Sequence, residues 1–508
     1  MWPLVTCIVT LLGAILYWLH RRWYSFADHW PTLEGAYPLI GNAWVMIGKN
    51  DVERFDAALE IFRRNVPMQK VWAGPKLVLL CCHPDLAHQI LSNSNCLEKP
   101  WFYRFLGFEH GLLTSKEEVW RDLRKRLNPC FHIKIIHGFL PILARCGQQM
   151  ARRLNEQPDG TTLDIYRYTS LCVLEMVCGT ALGSDVLDRD KQKKDLLAHS
   201  IDRDFALAAK RMTALHLHVD FVYRKSEICQ QLEASQNLTV NFLIDIIKER
   251  REYLEKHPPD EKGSDDFEGQ EYFKKPKIFV DQLLMGSSDG KPFTDREIID
   301  NLYAIITGAV ETSSLLTAHA CLVLSFYPEI QQRLFDEINQ YFPADSPHAD
   351  FSPETFRRLR YTEMFLNEVQ RVYPVAPFVA RENSSEIEVD GVKVPPGNIF
   401  GIAIYMLHRH PDFWGPNAEQ FDPENFSEER VNRRSPNAFI PFGSGRRNCI
   451  ALQYAPFAVK IMLINLVRNF KFSSKITPET MKFRIHLALA LATEHWVQIE
   501  KRNPVGWA

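Results

Sequence analysis

The chain lacks the features that mark several common classes of protein. Its 508 residues carry a formal net charge of −2, whereas a nucleic-acid-binding protein normally has a strong excess of positive charge. Its eleven cysteines stand mostly singly among apolar residues, without the Cys-x-x-Cys or His-x-x-x-His pairs that indicate zinc. No internal repeat and no long linker divides the chain. These absences argue against a nucleic-acid partner, a disulfide framework and a zinc domain, and they favour a reducing compartment.

The N-terminus carries an almost unbroken apolar run over residues 2–19, followed by the basic cluster His20, Arg21 and Arg22. A run of this length is at the lower limit for a transmembrane helix, and positive charges on its C-terminal side predict that the rest of the chain is cytoplasmic. A cleaved signal peptide is the alternative, but a basic region before the run and a small-residue cleavage site after it are both missing. We predict a single-pass anchor over residues 1–20, a basic, proline-containing hinge over 21–45 and one folded domain over 46–508.

One cysteine, Cys449, has surroundings unlike those of the others. It ends the glycine- and arginine-rich sequence FGSGRRNC, and apolar residues recur at helical spacing from Leu452 to Val467. We predict that a helix begins just past Cys449, so that its N-terminal N–H groups stabilise a thiolate. Arg447 adds a cation suited to a carboxylate. A soft metal or a haem iron requires such a sulfur, whereas the alternative is a buried structural cysteine.

A second unusual stretch lies within a long apolar helix. Thr294 and Glu297 form a capping box, and the apolar pattern continues to about Phe326, before a proline. At 1.5 Å per residue this helix spans about 48 Å. Within it, Glu311 and Thr312 place an acid and a hydroxyl among apolar residues. A buried hydroxyl often only bonds back to its own helix, but an acid and an alcohol together also relay protons to a buried site. We favour the relay.

Two residue pairs lie at helical spacing elsewhere in the chain. Glu368 and Arg371 are i, i+3 neighbours on a helix that is predicted to end before Pro374, and Trp120 and Arg124 are i, i+4 neighbours on another. Taken alone, the first pair indicates a surface ion pair of small energetic value, and the second pair indicates a solvated basic face.

The remaining local signals are weaker. Two short strands are predicted within residues 71–82, then a helix from near residue 84. Residues 256–275 are predicted to form a surface loop.

The Cys449 segment resembles the haem-binding signature of the cytochrome P450 family, Phe-x-x-Gly-x-Arg-x-Cys-x-Gly. Phe442, Gly445, Arg447 and Cys449 match this signature, and Ala451 replaces its final glycine. The resemblance implies that Cys449 is the axial thiolate ligand of a haem b iron and that these five residues bind the cofactor. It also implies that the electron-rich thiolate favours cleavage of the O–O bond.

The long helix carries a second resemblance to this family. Residues 308–313 are similar to its oxygen-activation motif, with Ala309 in place of the second glycine. This similarity implies that Glu311 and Thr312 deliver protons during oxygen activation. Some members carry a glutamate that bonds covalently to haem. The equivalent position here is Gly308, so we predict a non-covalently bound porphyrin.

The residue pairs also match motifs of this family. Glu368 and Arg371 resemble its buried structural Glu-x-x-Arg pair, while Asn425 occupies the position of a third arginine, which reduces that network to hydrogen bonding. His408 and His410 lack a third ligand nearby and are predicted to be structural. By the same resemblance, three residues contact the haem propionates: Trp120, Arg124 and Arg381.

The resemblance covers the whole chain and sets the expected fold and function. It implies a mainly α fold with a small β region, similar in finer pattern to the microsomal branch that includes fatty-acid ω-hydroxylases and many insect members. The implied function is a monooxygenase of the endoplasmic reticulum membrane that inserts one atom of dioxygen into an apolar lipid, hormone or xenobiotic. Its electrons come from NADPH through cytochrome P450 reductase, with cytochrome b5 as a further partner. A haem-thiolate isomerase or dehydratase, and a catalytically silent haem-binding protein, are the alternatives.

Overall fold

One long helix, Asp295–Phe326, runs through the core and organises the rest of the fold. The structure, a computed structural model, describes residues 2–37, 40–62, 66–183, 191–257, 278–285, 287–288, 291–343 and 351–502. Helices make up most of these ranges, with short strands in small sheets, as the sequence predicted. The predicted surface loop over residues 256–275 lies outside the described residues from residue 258 onward.

The helices follow the chain in order. They are α1 (Trp2–Trp23), α2 (Asp51–Phe62), α3 (Pro84–Ser92), α4 (Glu117–Leu127), α5 (Ile133–Asn155), α6 (Ile165–Val177), α7 (Lys191–Thr213), α8 (Asp220–Arg224), α9 (Glu227–Lys256), α10 (Phe279–Met285), α11 (Asp295–Phe326), α12 (Pro328–Tyr341), α13 (Pro353–Arg358), α14 (Arg360–Val372), α15 (Ile404–Leu407), α16 (Pro411–Trp414), α17 (Glu428–Arg433) and α18 (Ala455–Asn469).

The strands form several small sheets beside the helices. They are β1 (Met68–Ala73), β2 (Lys76–Cys81), β3 (Thr162–Asp164), β4 (Ser287–Ser288), β5 (Lys291–Pro292), β6 (Val379–Glu382), β7 (Ile387–Val389), β8 (Val392–Val394), β9 (Ile399–Ile402), β10 (Phe470–Ser473), β11 (Phe483–Arg484), β12 (Ala490–Leu491) and β13 (Trp496–Lys501). The largest sheet has the order β1-β2-β9-β6, in which β2 and β9 are parallel and the other pairs antiparallel. The predicted pair of strands and the helix after them are therefore confirmed as β1, β2 and α3.

The central helix α11 begins where the sequence predicted. The Glu297 N–H donates to Thr294 Oγ1 (3.3 Å), and the Thr294 N–H donates to Glu297 Oε2 (2.8 Å), which completes the capping box. By length and composition α11 is able to cross a membrane, but 78% of its most apolar window is buried inside the protein. It packs against α6 and α18, so it is the core helix of the fold.

The N-terminal helix α1 makes few contacts with the rest of the protein. Its apolar side chains are largely exposed, for example Leu11 at 63%, Leu16 at 65% and Trp18 at 56%. Contact begins at its C-terminal end, where the His20 ring lies 2.9 Å from the Pro75 carbonyl oxygen and against the Trp72 ring. Most of the described apolar surface of α1 is therefore left without a protein partner.

The prediction that a helix begins just past Cys449 was wrong. A 3₁₀ turn, Ile450–Leu452, follows the cysteine, and α18 begins only at Ala455. The physical reason is Pro456, which has no N–H to donate and is therefore tolerated in the first turn of a helix but not further inside one. A helix beginning at residue 450 would need that missing hydrogen bond.

Candidate active site

Cys449 lies in a tight loop between α17 and α18. Gly443 and Gly445 both have φ of +73°, which glycine adopts without strain. The Cys449 N–H donates to the Phe442 carbonyl (2.9 Å) and closes the turn. A Cβ atom on Gly445 would overlap the carbonyl group of Leu91 on α3. The loop is therefore seated directly on α3, which fixes the position of the sulfur.

The thiol of Cys449 differs from the other thiols in its accessibility. Cys449 is exposed, whereas every other cysteine except Cys7 on α1 is buried. Burial within the surrounding protein nevertheless raises the pKa of the Cys449 thiol, while the Ala451 N–H and the Arg124 charge act in the opposite direction. Solvent thus reaches the Cys449 side chain although the protein encloses it. We infer that Cys449 lines an internal cavity.

Arg124 on α4 binds the segment that carries the cysteine. Its guanidinium donates to the carbonyl oxygen of Asn448 and to the side-chain oxygen of the same residue, each at 2.8 Å. The charge that lowers the pKa of the Cys449 thiol is that of Arg124, whereas Arg447 was expected to supply a cation for a carboxylate. Arg124 therefore both holds the loop and favours a thiolate at its tip.

Two further arginines meet behind this loop. Arg447 donates to the carbonyl oxygens of Leu97 and Ser115, each at 2.5 Å. Arg381 on β6 donates to its neighbour's carbonyl, Ala380 (2.9 Å), and to that of Arg447 (3.1 Å). The Trp120 ring lies 5.2 Å from the Arg447 guanidinium. The structure thus brings Trp120, Arg381 and Arg447 together, although they are far apart in sequence.

Within the part of the chain that the structure describes, no ion pair joins either of these buried arginines to a carboxylate. The Nε atoms of Arg381 and Arg447 are buried without a hydrogen-bond acceptor among the described residues. Burial lowers the pKa of Arg447 to about 9 and also lowers the pKa of Arg381. Burial and these two charges lower the pKa of Lys99, whose ammonium lies 4.2 Å from the Tyr103 ring centre. Uncompensated buried charge is costly, so the cluster is built to receive an anion.

The side of α11 that carries Thr312 faces open space. Thr312 is exposed although both of its neighbours in the chain are buried. Its hydroxyl donates back to the Gly308 carbonyl (2.6 Å), and a Cβ atom on Gly308 would have no heavy atom within 4 Å. Ala309 on α11 and Ala451 beside Cys449 are both partly exposed at the edge of the same core cluster. We infer from this arrangement that one cavity lies between α11 and the Cys449 loop.

The surroundings of the Glu311 side chain differ from those of Thr312. Its side chain is 1% exposed, and its Oε2 accepts a hydrogen bond from the Tyr166 hydroxyl (2.7 Å). Its Oε1 lies 3.6 Å from Nδ1 of His486. Burial, together with the charge of Asp202, raises the pKa of Glu311 to about 8. A carboxyl group with this pKa retains its proton near neutral pH, as a general acid requires.

The Glu368–Arg371 pair on α14 is fully buried. The Arg371 Nε donates to Glu368 Oε2, and one terminal guanidinium nitrogen donates to Glu368 Oε1, each at 2.7 Å. Asn425 donates to the same carboxylate at 3.2 Å. The position that holds an arginine in the family's motif therefore contributes a neutral hydrogen bond here. The Ile440 N–H donates to Nε2 of His408, whose Nδ1 faces the Gln370 carbonyl. His408 therefore has a structural role, as predicted, and links α14 to the segment leading to Cys449.

A model of the family described as "Cytochrome P450" matches residues 31–494. The chain belongs to the cytochrome P450 family. It is 28% identical to "Probable cytochrome P450 313a4" of Drosophila melanogaster, with 99% of both chains covered. It is 27% identical to "Cytochrome P450 4c21" of Blattella germanica, with 92% of both covered, and 27% identical to "Cytochrome P450 4V2" of Homo sapiens, with 99% of this chain and 97% of the relative covered.

The family expected from the sequence is thus confirmed, and with it the P450 fold. Cytochrome P450s bind haem b through a cysteine thiolate, and they are monooxygenases acting on fatty acids and other apolar substrates. This P450 is therefore a haem-thiolate monooxygenase that uses dioxygen, an apolar substrate and electrons from a redox partner.

The residues around Cys449 fit a haem. The accessible thiol would supply a soft sulfur donor to the haem iron, and the open space beside Gly308 would leave room for a flat ring. The unpartnered Nε atoms of Arg381 and Arg447 need acceptors of the kind that two propionates provide. Cation and carboxylate then compensate each other within the protein.

Sequence reasoning missed several residues at this site. Lys99, which is half-buried, lies near the two buried arginines, and Tyr166, Asp202 and His486 surround Glu311. None of them belongs to a motif, and the last three lie on separate elements. Their burial and pairing become visible only once the chain is folded.

Proposed function

We propose that this P450 is a membrane-anchored monooxygenase in which Cys449 is the axial ligand of a non-covalently bound haem b. The observation that carries the proposal is the combination at the Cys449 loop of an accessible thiol and two buried arginines whose Nε atoms have no acceptor among the described residues. When bound, haem supplies the dioxygen activation that puts one oxygen atom into the substrate and releases the other as water. Its substrate is an apolar lipid, hormone or xenobiotic.

The protein's own residues bind and orient the cofactor in this proposal. Arg381, Arg447 and Lys99 compensate the propionates, and Trp120 packs against Arg447. Arg124 holds the loop through Asn448 and lowers the pKa of the thiol. Two residues of the signature act through their backbone: the Phe442 carbonyl closes the turn, and the Ala451 N–H stabilises the sulfur. Gly445 allows the loop to seat on α3.

Proton handling falls to the acid and the alcohol of α11. Thr312 presents its hydroxyl to the cavity while bonded to the Gly308 carbonyl, which orients the Oγ1 proton. Glu311 holds a proton near neutral pH because burial raises its pKa to about 8. Replacing Thr312 by Ala is expected to uncouple NADPH consumption from product formation, and unchanged coupling would contradict this role.

The substrate side of the cavity is apolar. Ile305 on α11 and Val375 and Phe378 after α14 are partly exposed at the edge of the main core. Burying an apolar ligand against them is favourable at about 25 cal/mol per Å². No charged partner of defined geometry is needed for such a ligand, which supports a broad class of greasy molecules rather than one head group.

We infer that residues 1–20 anchor the protein in the endoplasmic reticulum membrane, that residues 21–45 form the hinge and that residues 46–508 form the catalytic domain on the cytoplasmic side. Exposed apolar side chains along α1 support this arrangement, since a helix without a protein partner needs an apolar environment. NADPH–cytochrome P450 reductase, and cytochrome b5 as a further partner, would approach from the cytoplasm. The exposed basic residues Arg121 and Lys125 on α4 suit such acidic partners.

The proposal is tested with membranes that contain the protein, reductase and NADPH. The preparation is first examined for the thiolate-type carbon monoxide spectrum, and products from a panel of lipids and xenobiotics are then analysed by mass spectrometry. We expect a product one oxygen atom heavier that depends on NADPH and reductase. A Cys449→Ser variant should lose the thiolate spectrum, whereas Cys321→Ser, at a buried cysteine, should retain it.

The same experiment separates the alternatives. An isomerase or dehydratase would form product from a peroxide substrate without reductase, and a silent haem protein would give the spectrum but consume no NADPH. A haem-loaded wild-type protein without the thiolate spectrum would overturn the assignment of Cys449.

A further inference from the structure

A buried polar cluster lies around Glu311. Glu311 on α11, Asp202 on α7 and His486, between β11 and β12, place one carboxylate or imidazole atom each within 4.8 Å of one another. Tyr166 on α6 completes the cluster through its hydrogen bond to Glu311. Four separate elements therefore converge on one carboxyl group, next to the hydroxyl that faces the cavity.

The two oxygens of Glu311 have different partners. Oε2 accepts the Tyr166 hydroxyl, and because burial and Glu311 raise the pKa of Tyr166 well above its ordinary value, that hydroxyl remains a donor. Oε1 is buried without a hydrogen-bond partner among the described residues and faces Nδ1 of His486 at 3.6 Å. Oε1 is thus the oxygen free to gain and lose a proton.

The cluster leads from the buried acid toward solvent. Glu311 and His486 are buried, at 1% and 8% exposed, whereas Asp202 is only half-buried. Of the three, Asp202 is the residue that reaches water. His486 lies close to both carboxyl groups, and its Nε2 has no hydrogen-bond partner among the described residues.

We propose that His486 and Asp202 form the path by which protons from solvent recharge Glu311. The inference rests on the proposed role of Glu311 as the acid of oxygen activation. Reduction of oxygen to water consumes protons, so a buried acid that gives up its proton must regain one before the next cycle. His486 and Asp202 act through Glu311 and are positioning residues of the proton supply.

The transfer involves protons alone. Once Glu311 has released its proton, the carboxylate at 3.6 Å favours the charged form of His486. Nδ1 of His486, which accepts the Ala488 N–H in the neutral ring, takes up a proton from the Asp202 side and then gives it to Glu311 Oε1. An O–H bond on the Asp202 side breaks as the N–H bond forms, and this N–H bond then breaks as an O–H bond forms on Glu311, with no electron transferred. Separations up to 4.8 Å are closed by a side-chain rotation or one bridging water.

The charged groups around the cluster are compatible with this role. Burial lowers the pKa of His486 to about 4, while the Asp202 charge raises it and the Arg484 charge lowers it. The Ala488 N–H donates weakly to Nδ1 of His486 (3.3 Å). His486 is therefore neutral at rest and becomes charged only when a carboxylate forms beside it. This behaviour is that of a relay rather than of a permanent ion pair.

The test measures proton access to Glu311 directly, without turnover. In the haem-loaded protein, the C=O stretching band of the protonated Glu311 carboxyl is identified by its loss in Glu311→Gln. Its isotope shift is then followed after rapid transfer into D₂O. We expect His486→Gln to slow this exchange roughly tenfold or more, and Asp202→Asn to slow it as well.

Two matched variants serve as controls. His495→Gln makes the same change at another buried, neutral histidine, which stacks on Tyr166 but does not belong to the cluster. Tyr166→Phe removes the hydrogen bond to Oε2 and leaves Oε1 and His486 in place. Both should shift the band without slowing the exchange.

The outcomes separate this inference from the proposed function. Wild-type exchange in His486→Gln, or equally slow exchange in Tyr166→Phe, would overturn the path. Product formed per NADPH should fall in His486→Gln and in Glu311→Gln. Slow exchange in His486→Gln together with unchanged coupling in Glu311→Gln would instead overturn the catalytic role of Glu311.

Discussion

Gly443 and Gly445 have the same φ of +73° but very different surroundings. A methyl group on Gly443 would find its nearest neighbour at 3.9 Å, whereas one on Gly445 would overlap the Leu91 carbonyl group. Gly443→Ala is therefore expected to cost only the left-handed backbone strain, roughly 1–2 kcal/mol. Gly445→Ala must also move the loop off α3, and it should greatly reduce the haem content per folded protein.

The paired variants share residue type, backbone conformation and loop, so they differ only in the space available. Haem content is measured by absorbance relative to protein concentration, with helical content from circular dichroism as the control for folding. Equal haem content in the two variants would show that seating on α3 does not position Cys449.

Glu311 predicts a specific dependence of stability on pH. Its pKa is raised to about 8, while that of a glutamate in an unfolded chain is about 4.3. The folded protein thus retains this proton to higher pH, and the resulting stability is fully present below about pH 4 and is lost as pH rises toward 8. His486 titrates at lower pH because its pKa is lowered to about 4. Of these two residues, Glu311 is therefore the one that changes the stability of the fold between pH 6.5 and 8.5.

Glu311→Gln removes this titration. The midpoint of thermal unfolding of Glu311→Gln, relative to wild type, should therefore increase by roughly 2 °C between pH 6.5 and 8.5. Glu354→Gln, at an exposed side chain, should show a constant difference over the same range. A constant difference for Glu311→Gln would mean that Glu311 is already ionised in the folded protein at pH 6.5.

At the scale of elements, two neighbouring helices carry the same Glu-x-x-Arg pattern with different consequences. On α13, Glu354 and Arg357 are 2.9 Å apart and mostly exposed, whereas on α14 Glu368 and Arg371 are fully buried. Arg371→Leu leaves a buried carboxylate unpaired, which is expected to cost roughly 3–5 kcal/mol. Arg357→Leu should cost less than about 1 kcal/mol.

The comparison is made by urea unfolding, which measures the free energy of unfolding of each variant. The two changes are identical in chemistry and helical spacing, so the difference between them measures burial. Similar costs would contradict the view that α14 is held in place by its ion pair.

These two helices also illustrate how far sequence reasoning reaches. Local signals predicted β1, β2, α3 and the capping box of α11, because each depends on neighbouring residues. Spacing alone did not separate the pair on α13 from the pair on α14, and only the resemblance to a family selected the second. The start of α18 was misplaced because a continuous apolar pattern outweighed Pro456.

The site was predictable where its residues lie close together in sequence. The Cys449 loop and the Glu311–Thr312 pair were singled out in this way as candidates, and their roles remain predictions. Lys99 and His486 were not, because their roles depend on burial beside residues far away in the chain. An isolated lysine or histidine in a sequence carries no sign of what will surround it.

At the scale of the whole molecule, α1 predicts how the protein partitions. Removing residues 2–23 deletes exposed apolar side chains such as Leu11, Leu16 and Trp18 and leaves the folded core intact. We expect the shortened protein to move from the membrane to the soluble fraction after alkaline extraction and to keep its thiolate spectrum. Full retention in the membrane would show that a surface other than α1 binds lipid.

The buried cations near Cys449 have a consequence for the life of the protein in a cell. Before haem arrives, the buried Nε–H groups of Arg381 and Arg447 have no acceptor among the described residues, so the newly made chain is less stable than the loaded one. A ligand that binds only the folded state stabilises it by mass action, and unfolded protein is continually degraded. The supply of haem therefore controls the half-life of the protein as well as its activity: a cell short of haem would clear the chain instead of storing it empty.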